Sequence, residues 1–270
     1  MKGRVLIVAG SDSGGGAGIQ GDIKAVTALE GFAMTAVTAL TAQNTQGVFG
    51  IHDVPPAFVV EQMRVVLEDL GADCVKLGML HRADIIEAVA SALQCYAPGV
   101  PVVVDPVMVA KGGHALLQDD AMSALKAHII PLASVLTPNI PEAEALTGFA
   151  IADADAMARA GARLLAMGPQ AVLVKGGHLK GATVHDVLCA GGAPVTYDSV
   201  RVSTRHTHGT GCTLASAIAT GIAQGLAVDR AVARGRAYVL EAIRTAPGFG
   251  HGHGPLNHGH TVRRFAGPDN

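Results

Sequence analysis

Short apolar runs alternate along this chain with longer stretches of helical spacing. Runs at 5–9, 33–40, 73–77, 100–104, 134–136 and 171–174 are Val-rich and bounded by Gly, Pro or Asp, which predicts buried strands. Between them, 19–29, 56–70, 83–96, 119–128, 141–146 and 153–167 carry helix formers at helical spacing. Strand and helix in turn predict an α/β fold: a mostly parallel sheet covered by helices on both faces. After residue 175 the pattern changes. Runs at 183–188 and 195–202, joined through Gly191-Gly192, predict an antiparallel hairpin, and helices are expected over 211–224 and 228–245. The Gly- and His-rich end, 248–270, reads as loop, and with no linker or repeat the economical expectation is one domain over 1–270.

Composition narrows this picture. The 270 residues are 49% hydrophobic, ample for a large core, yet only 3% are aromatic and none is Trp. A net charge of −2 without a basic run lacks the footprint of a nucleic-acid binder. Cys74, Cys95, Cys189 and Cys212 are scattered, which indicates neither a zinc knuckle nor a disulfide framework and fits a reducing compartment. The first apolar run ends at Ala9, and no stretch is long enough to span a membrane, so a cytosolic location is expected.

In open parallel sheets, ligands sit beyond the carboxyl ends of the strands. That rule selects the polar residues from Asp12 to Asp22, Gln43-Asn44, Met79, Asp105, Asn139 with Glu142, and Lys175. Gly16-Ala17-Gly18-Ile19-Gln20-Gly21 matches the dinucleotide fingerprint G-x-G-x-x-G literally. The acid that should end the second strand is missing, however, and Asp22 would repel a pyrophosphate at the helix start. These glycines are expected instead to let a small neutral substrate approach the backbone. No P-loop pattern exists.

The turn Gly209-Thr210-Gly211-Cys212 precedes an apolar helix start. Successive glycines let backbone N–H groups converge at a helix N-terminus, where unpaired donors and the dipole favour an anion. The same dipole should lower the thiol pKa of Cys212, which could then handle the proton of an attacking hydroxyl. These features predict a phosphoryl-transfer site.

Around that turn the sequence resembles the ribokinase-like superfamily, and within it the hydroxymethylpyrimidine/phosphomethylpyrimidine kinases of thiamine biosynthesis. The resemblance runs from about residue 4 to about residue 260. It rests on the segments 9–20, 41–45, 76–80, Asp105-Pro106-Val107-Met108, Thr137-Pro138-Asn139 with Glu142, 174–178, 207–213 and 252–258, all in order. It implies a three-layer αβα sandwich, Mg²⁺ dependence and a homodimer. It also implies ATP-dependent phosphorylation of 4-amino-5-hydroxymethyl-2-methylpyrimidine and then of its monophosphate. Cys212 stands where most sugar-kinase relatives have an aspartate base, and the pyrimidine kinases characteristically have Cys. Gly112 departs from the Ser common in the family, and His206 from Asn.

On this reading, Gln43 offers a donor and an acceptor on one planar amide to an aminopyrimidine edge. Asp22 holds the substrate hydroxyl or amino group, and Gly10, Met79 and Val107 line the ring pocket. Lys175, with Thr207, His208 and Gly209, contacts ATP. Asp105 and Glu142 organise Mg²⁺ as hard oxygen ligands. Gly209, Thr210 and Gly211 hold the developing anion beside Cys212. The His-rich tail is expected to cover the nucleotide edge or a dimer contact rather than bind metal. Two rival readings are pyridoxal kinase activity and a non-catalytic pyrimidine sensor on a kinase fold.

Overall fold

The computed structural model of the chain describes residues 1–109, 113, 116–118 and 120–263. The first strand, β1 (Arg4–Ala9), leads through a glycine loop into α1 (Gly18–Ala28), and β2 (Phe32–Val37) follows. The chain then leaves the main sheet for a separate antiparallel pair, β3 (Ala39–Asn44) and β4 (Gly47–Asp53). Next come α2 (Pro56–Asp69), β5 (Cys74–Leu77), α3 (Ala83–Tyr96) and β6 (Val102–Val104). The short α4 (Ala121–Ala124) runs on through a π turn and a 3-10 turn to β7 (Val135–Leu136). Then follow α5 (Ile140–Thr147), α6 (Ala154–Leu165), β8 (Val172–Lys175), the hairpin β9 (Thr183–Cys189) and β10 (Val195–Val200), α7 (Thr210–Ala223) and α8 (Val228–Arg244).

The main sheet has eight strands in the order β10-β9-β8-β7-β6-β5-β1-β2. Pairing is parallel from β2 to β8 and antiparallel from β8 to β10. Side chains alternate across a strand, and β1 shows the consequence. Val5, Ile7 and Ala9 enter one core with α1, α7 and α8, whereas Leu6 and Val8 enter another with α2, α3, α5 and α6. The three-layer α/β expectation therefore holds. β1 lies between β2 and β5, so the chain reverses its direction of travel across the sheet there. A crevice opens at such a switch point, beyond the strand ends.

One expected strand is two. The apolar run 33–40 breaks at Thr38, whose hydroxyl donates to the Met79 carbonyl at 2.7 Å. The break turns β3 out of the sheet, and the register shift between Ala42 and Gln43 bends it further. The partner strand β4 was missed because Gly47, Gly50, His52 and Asp53 dilute its alternation.

Candidate active site

The switch point holds an elongated cleft of ≈ 920 Å³. Its walls come from the ends of β1, β3, β5, β6 and β8, from α5, and from the N-terminus of α7. At one end, Met79 packs with Ala39, Val107 and Leu116. A Cβ on Gly10 would lie 3.3 Å from the Met79 sulfur, so Gly10 leaves room for that thioether. Gly10, Met79 and Val107 thus line one apolar pocket, and Gln43 lines the same cleft.

The amide of Gln43 is held from both sides. Thr41 Oγ1 lies 3.2 Å from its Oε1, and His208 Nε2 lies 3.4 Å from its Nε2. His208 Nε2 also stands 2.8 Å from Asp12 Oδ2. Asp12 also accepts from the backbone amides of Gly14, Gly16 and Ala17 at 2.8, 3.1 and 2.8 Å. Burial works against that carboxylate, but the His208 bond and these amides outweigh it and hold Asp12 below its ordinary range. A carboxylate only accepts, so His208 carries its proton on Nε2 and has no lone pair there for Gln43. The Gln43 NH₂ keeps its hydrogens for a ligand. His208 was expected to touch ATP; its ring lines the cleft and also ties the first loop to the 206–211 turn.

That tie also explains the decoy glycines. A Cβ on Gly16 would sit 2.5 Å from the His208 ring, and one on Gly18 2.5 Å from the Gly10 carbonyl oxygen. A Cβ on Gly209, where φ is +84°, would run into the Gly16 carbonyl. The glycines let the loop fold against itself and the turn, and Gly18 also lines the cleft.

At the other end, Gly209 is the N-cap of α7 and offers no side-chain cap. Thr213 N bonds to the Gly209 carbonyl at 2.9 Å, which begins the helix. Among the described residues nothing accepts from the amides of Gly211 and Cys212. They point the start of a 14-residue helix at the cleft, where an anion is favoured. Lys175 Nζ lies 2.7 Å from Asp105 Oδ1, both nearly buried, and a Cβ on Gly211 would stand 3.2 Å from that Nζ. The lysine expected at the phosphates therefore sits beside the turn. Thr207 closes the turn by accepting from Thr210 Oγ1 at 3.1 Å.

Glu142 and Asn139 form a capping box at the start of α5, with bonds of 2.8 and 3.0 Å. Burial pushes the Glu142 carboxyl up from 4.5 to about 7, with Lys175 opposing and Asp105 adding to the rise. Its folded pKa exceeds its unfolded one. The stability it contributes is present below pH 4.5 and is lost as pH rises to about 7. Over that window the wild type should lose about 3 kcal/mol relative to Glu142→Gln, which keeps the cap. Urea unfolding of both proteins from pH 5 to pH 8 measures it; parallel pH profiles would contradict the assignment.

Two expectations need correction. Cys212 was expected to have a lowered thiol pKa. Burial pushes it up to about 12, aided by Asp105 and Asp22 and opposed by Lys76. The cost of desolvating a thiolate exceeds what the helix terminus returns, so Cys212 is a thiol at neutral pH. Asp22 was expected to grip the substrate. It is fully buried behind the cleft wall, where its oxygens accept from Lys76 Nζ and Ser216 Oγ, both at 2.7 Å. Asp22 reaches the cleft only through Lys76, which sequence reading left without a role. A lysine inside the apolar run Cys74-Val75-Lys76-Leu77 was the available signal, since lysine is almost never fully buried unpaired.

The tail packs on the turn between β3 and β4. Gly252 N and His253 N donate to Thr45 at 3.2 and 2.8 Å, and His208 N donates to Gly254 O at 3.1 Å. It covers the Gln43 end rather than the nucleotide edge. Gly112 lies outside the described residues.

Comparison with known proteins agrees with this geometry. Residues 12–257 match the profile of the Phosphomethylpyrimidine kinase family. The chain belongs to that family. It is 53% identical over 257 residues to the thiamine biosynthesis bifunctional protein ThiED of Geobacter sulfurreducens, covering 95% of this chain and 52% of that protein. It therefore spans about half of that relative. It is 45% identical to the hydroxymethylpyrimidine/phosphomethylpyrimidine kinase of Bacillus subtilis, covering 94% of each. Among solved structures, phosphomethylpyrimidine kinase from Clostridium difficile 630 is 42% identical with a TM-score of 0.80, over 90% of this chain and all of that one. An ADP complex of Bacillus subtilis pyridoxal kinase superposes with a TM-score of 0.89 at 33% identity, over 96% and 98%. A phosphomethylpyrimidine kinase family member thus shares its backbone with pyridoxal kinases, and the choice of substrate must rest on side chains.

Proposed function

We propose that this chain transfers the γ-phosphoryl group of ATP to the hydroxymethyl group of 4-amino-5-hydroxymethyl-2-methylpyrimidine, and then to the resulting monophosphate. The observation that carries this reading is one cleft with two chemically distinct ends. An apolar pocket edged by the Gln43 amide suits an aminopyrimidine, and the uncapped start of α7, flanked by Lys175, suits a triphosphate. The names of the relatives support the same substrates.

The acceptor oxygen attacks the γ-phosphorus while the bond to the ADP oxygen breaks, and ADP leaves with the electron pair. The Gly211 and Cys212 amides stabilise the charge that develops on the transferred group. Cys212, as a thiol, orients the acceptor oxygen rather than removing its proton beforehand. A hydroxyl proton then leaves late, to the phosphoryl oxygens; a monophosphate acceptor has none to lose at its attacking oxygen. Asp105 and Glu142 fit a Mg²⁺ that arrives with ATP, because that ion takes one or two carboxylates and completes its shell with phosphates and water. When bound, it would offset phosphate charge. The nucleotide lobe lies between β9–β10 and α8, where Asp186 and Arg236 pair at 2.7 Å. A cytosolic homodimer belongs to the same proposal, and exposed Leu40 and Phe49 on the β3–β4 pair support an association surface. Among the described residues no helix is long and apolar enough to cross a membrane.

ADP release with ATP and Mg²⁺, measured separately with the pyrimidine alcohol, its monophosphate and pyridoxal, tests the reading. Turnover of both pyrimidines is expected to exceed turnover of pyridoxal. A preference for pyridoxal would replace the acceptor, and binding without ADP release would favour a sensor.

A further inference from the structure

The same cleft is asked to hold a neutral alcohol and, in the second step, an acceptor that already bears a phosphate. The anionic acceptor needs a cation at its own end, distinct from the one that meets ATP. Lys175 is committed beside Asp105 and the α7 turn. A second cation lines the cleft: Lys76, on β5, three residues before Met79 of the ring pocket.

Lys76 is among the largest fully buried side chains of the protein. Its ammonium has three donors. Among the described residues Asp22 is its one hydrogen-bond partner, at 2.7 Å, which leaves two donors unused in a group that borders the cleft. A Cβ on Gly78 would lie 2.9 Å from Lys76 Nζ, so the absence of a side chain there lets the ammonium take this position. Cys212, which lines the cleft at the transfer turn, is close enough for Lys76 to affect its charge. Lys76 therefore borders the same cleft as the ring pocket and the transfer turn. Burial works against its charge, but Asp22 and Asp105 outweigh burial and keep it protonated.

We propose that Lys76 is the specificity-determining residue for the second phosphorylation, donating its free N–H groups to the phosphate of the monophosphate acceptor, with Asp22 fixing its position. The inference rests on the acceptor reading given above. It explains why a carboxylate and a lysine are buried together instead of an apolar pair of similar volume, which would often be at least as stable.

The test is the ratio of kcat/KM for the monophosphate to kcat/KM for the alcohol. Lys76→Met alone would leave a buried carboxylate unpaired, so the informative protein is Lys76→Met/Asp22→Asn, which removes both charges and keeps an acceptor for Ser216. Its ratio should fall by about 10–100-fold, the worth of a hydrogen bond to a charged group. Asp22→Asn alone keeps the ammonium and removes its counter-charge, so its ratio should hold or rise. Thermal melting checks that both variants fold. Equal slowing of the two substrates in the double variant, or a ratio that falls equally in Asp22→Asn, would overturn the role of Lys76. Wild-type protein that turns over neither pyrimidine would instead overturn the acceptor reading, and this inference with it.

Discussion

Gly211→Ala should give a protein at least as stable as the wild type and slower by about 10²–10³-fold in kcat, because a methyl that pushes the transferred group off its donors costs about as much as losing one of them. Gly211 lies in the first turn of α7 with ordinary helical backbone, so alanine gains up to about 1 kcal/mol of helix propensity. The added methyl would stand 3.2 Å from Lys175 Nζ, the mobile end of a long side chain, and 3.6 Å from Asp105 Oδ2. The fold can absorb that contact. A phosphoryl group cannot, because the methyl occupies the space between the amides and Lys175 where it would pass. Gly209, two residues earlier, differs, since its positive φ and its contact with Gly16 make it a requirement of the fold itself. Thermal melting beside steady-state ADP release separates the two effects. An alanine variant with full turnover would show that transfer does not occur over this turn.

Lys175→Met should lower kcat/KM for ATP by about 10³-fold, equivalent to roughly 4 kcal/mol of transition-state stabilisation. Lys175 is the cation that stands beside the α7 turn, and no backbone amide can replace its charge. The variant should also be less stable, by about 3–5 kcal/mol, because Asp105 would lose a nearly buried partner at 2.7 Å. Glu142 links this loss to pH. Lys175 opposes the rise of the Glu142 pKa, so without the lysine that carboxyl holds its proton more firmly. Steady-state ADP release across a range of ATP concentrations, with urea unfolding on the same samples, reads both quantities. Turnover within tenfold of the wild type would remove Lys175 from the phosphate end.

Much of the fold was legible because burial imposes a period. β1, β5, β6, β7 and β8 lie where short Val-rich runs end in Gly, Pro or Asp, and α3 spans the predicted 83–96. The run 33–40 shows the limit: hydrophobicity continues smoothly through Thr38, while the backbone changes sheets there to bond Met79. The turn at 209–212 was legible as an uncapped helix start because glycine spacing and a following apolar helix are local facts.

Charge states and partners were not legible. Cys212 looked like an activated thiol because the sequence shows a helix start and cannot show which distant groups, Asp105 and Asp22 among them, the fold sets around it. Asp22 looked like a substrate ligand because its partners are far along the chain, at Lys76 and Ser216. The bond of His208 to Asp12 was equally hidden, because 196 residues separate the two along the chain. By itself the sequence determined the alternation of strand and helix, the sheet's mostly parallel character and the glycine turn that opens α7, all of which follow from short-range periodicity and backbone freedom. Only the tertiary structure decided which acid meets which base and which groups lose their water, because Coulomb energies and desolvation depend on distances between residues that the chain places far apart.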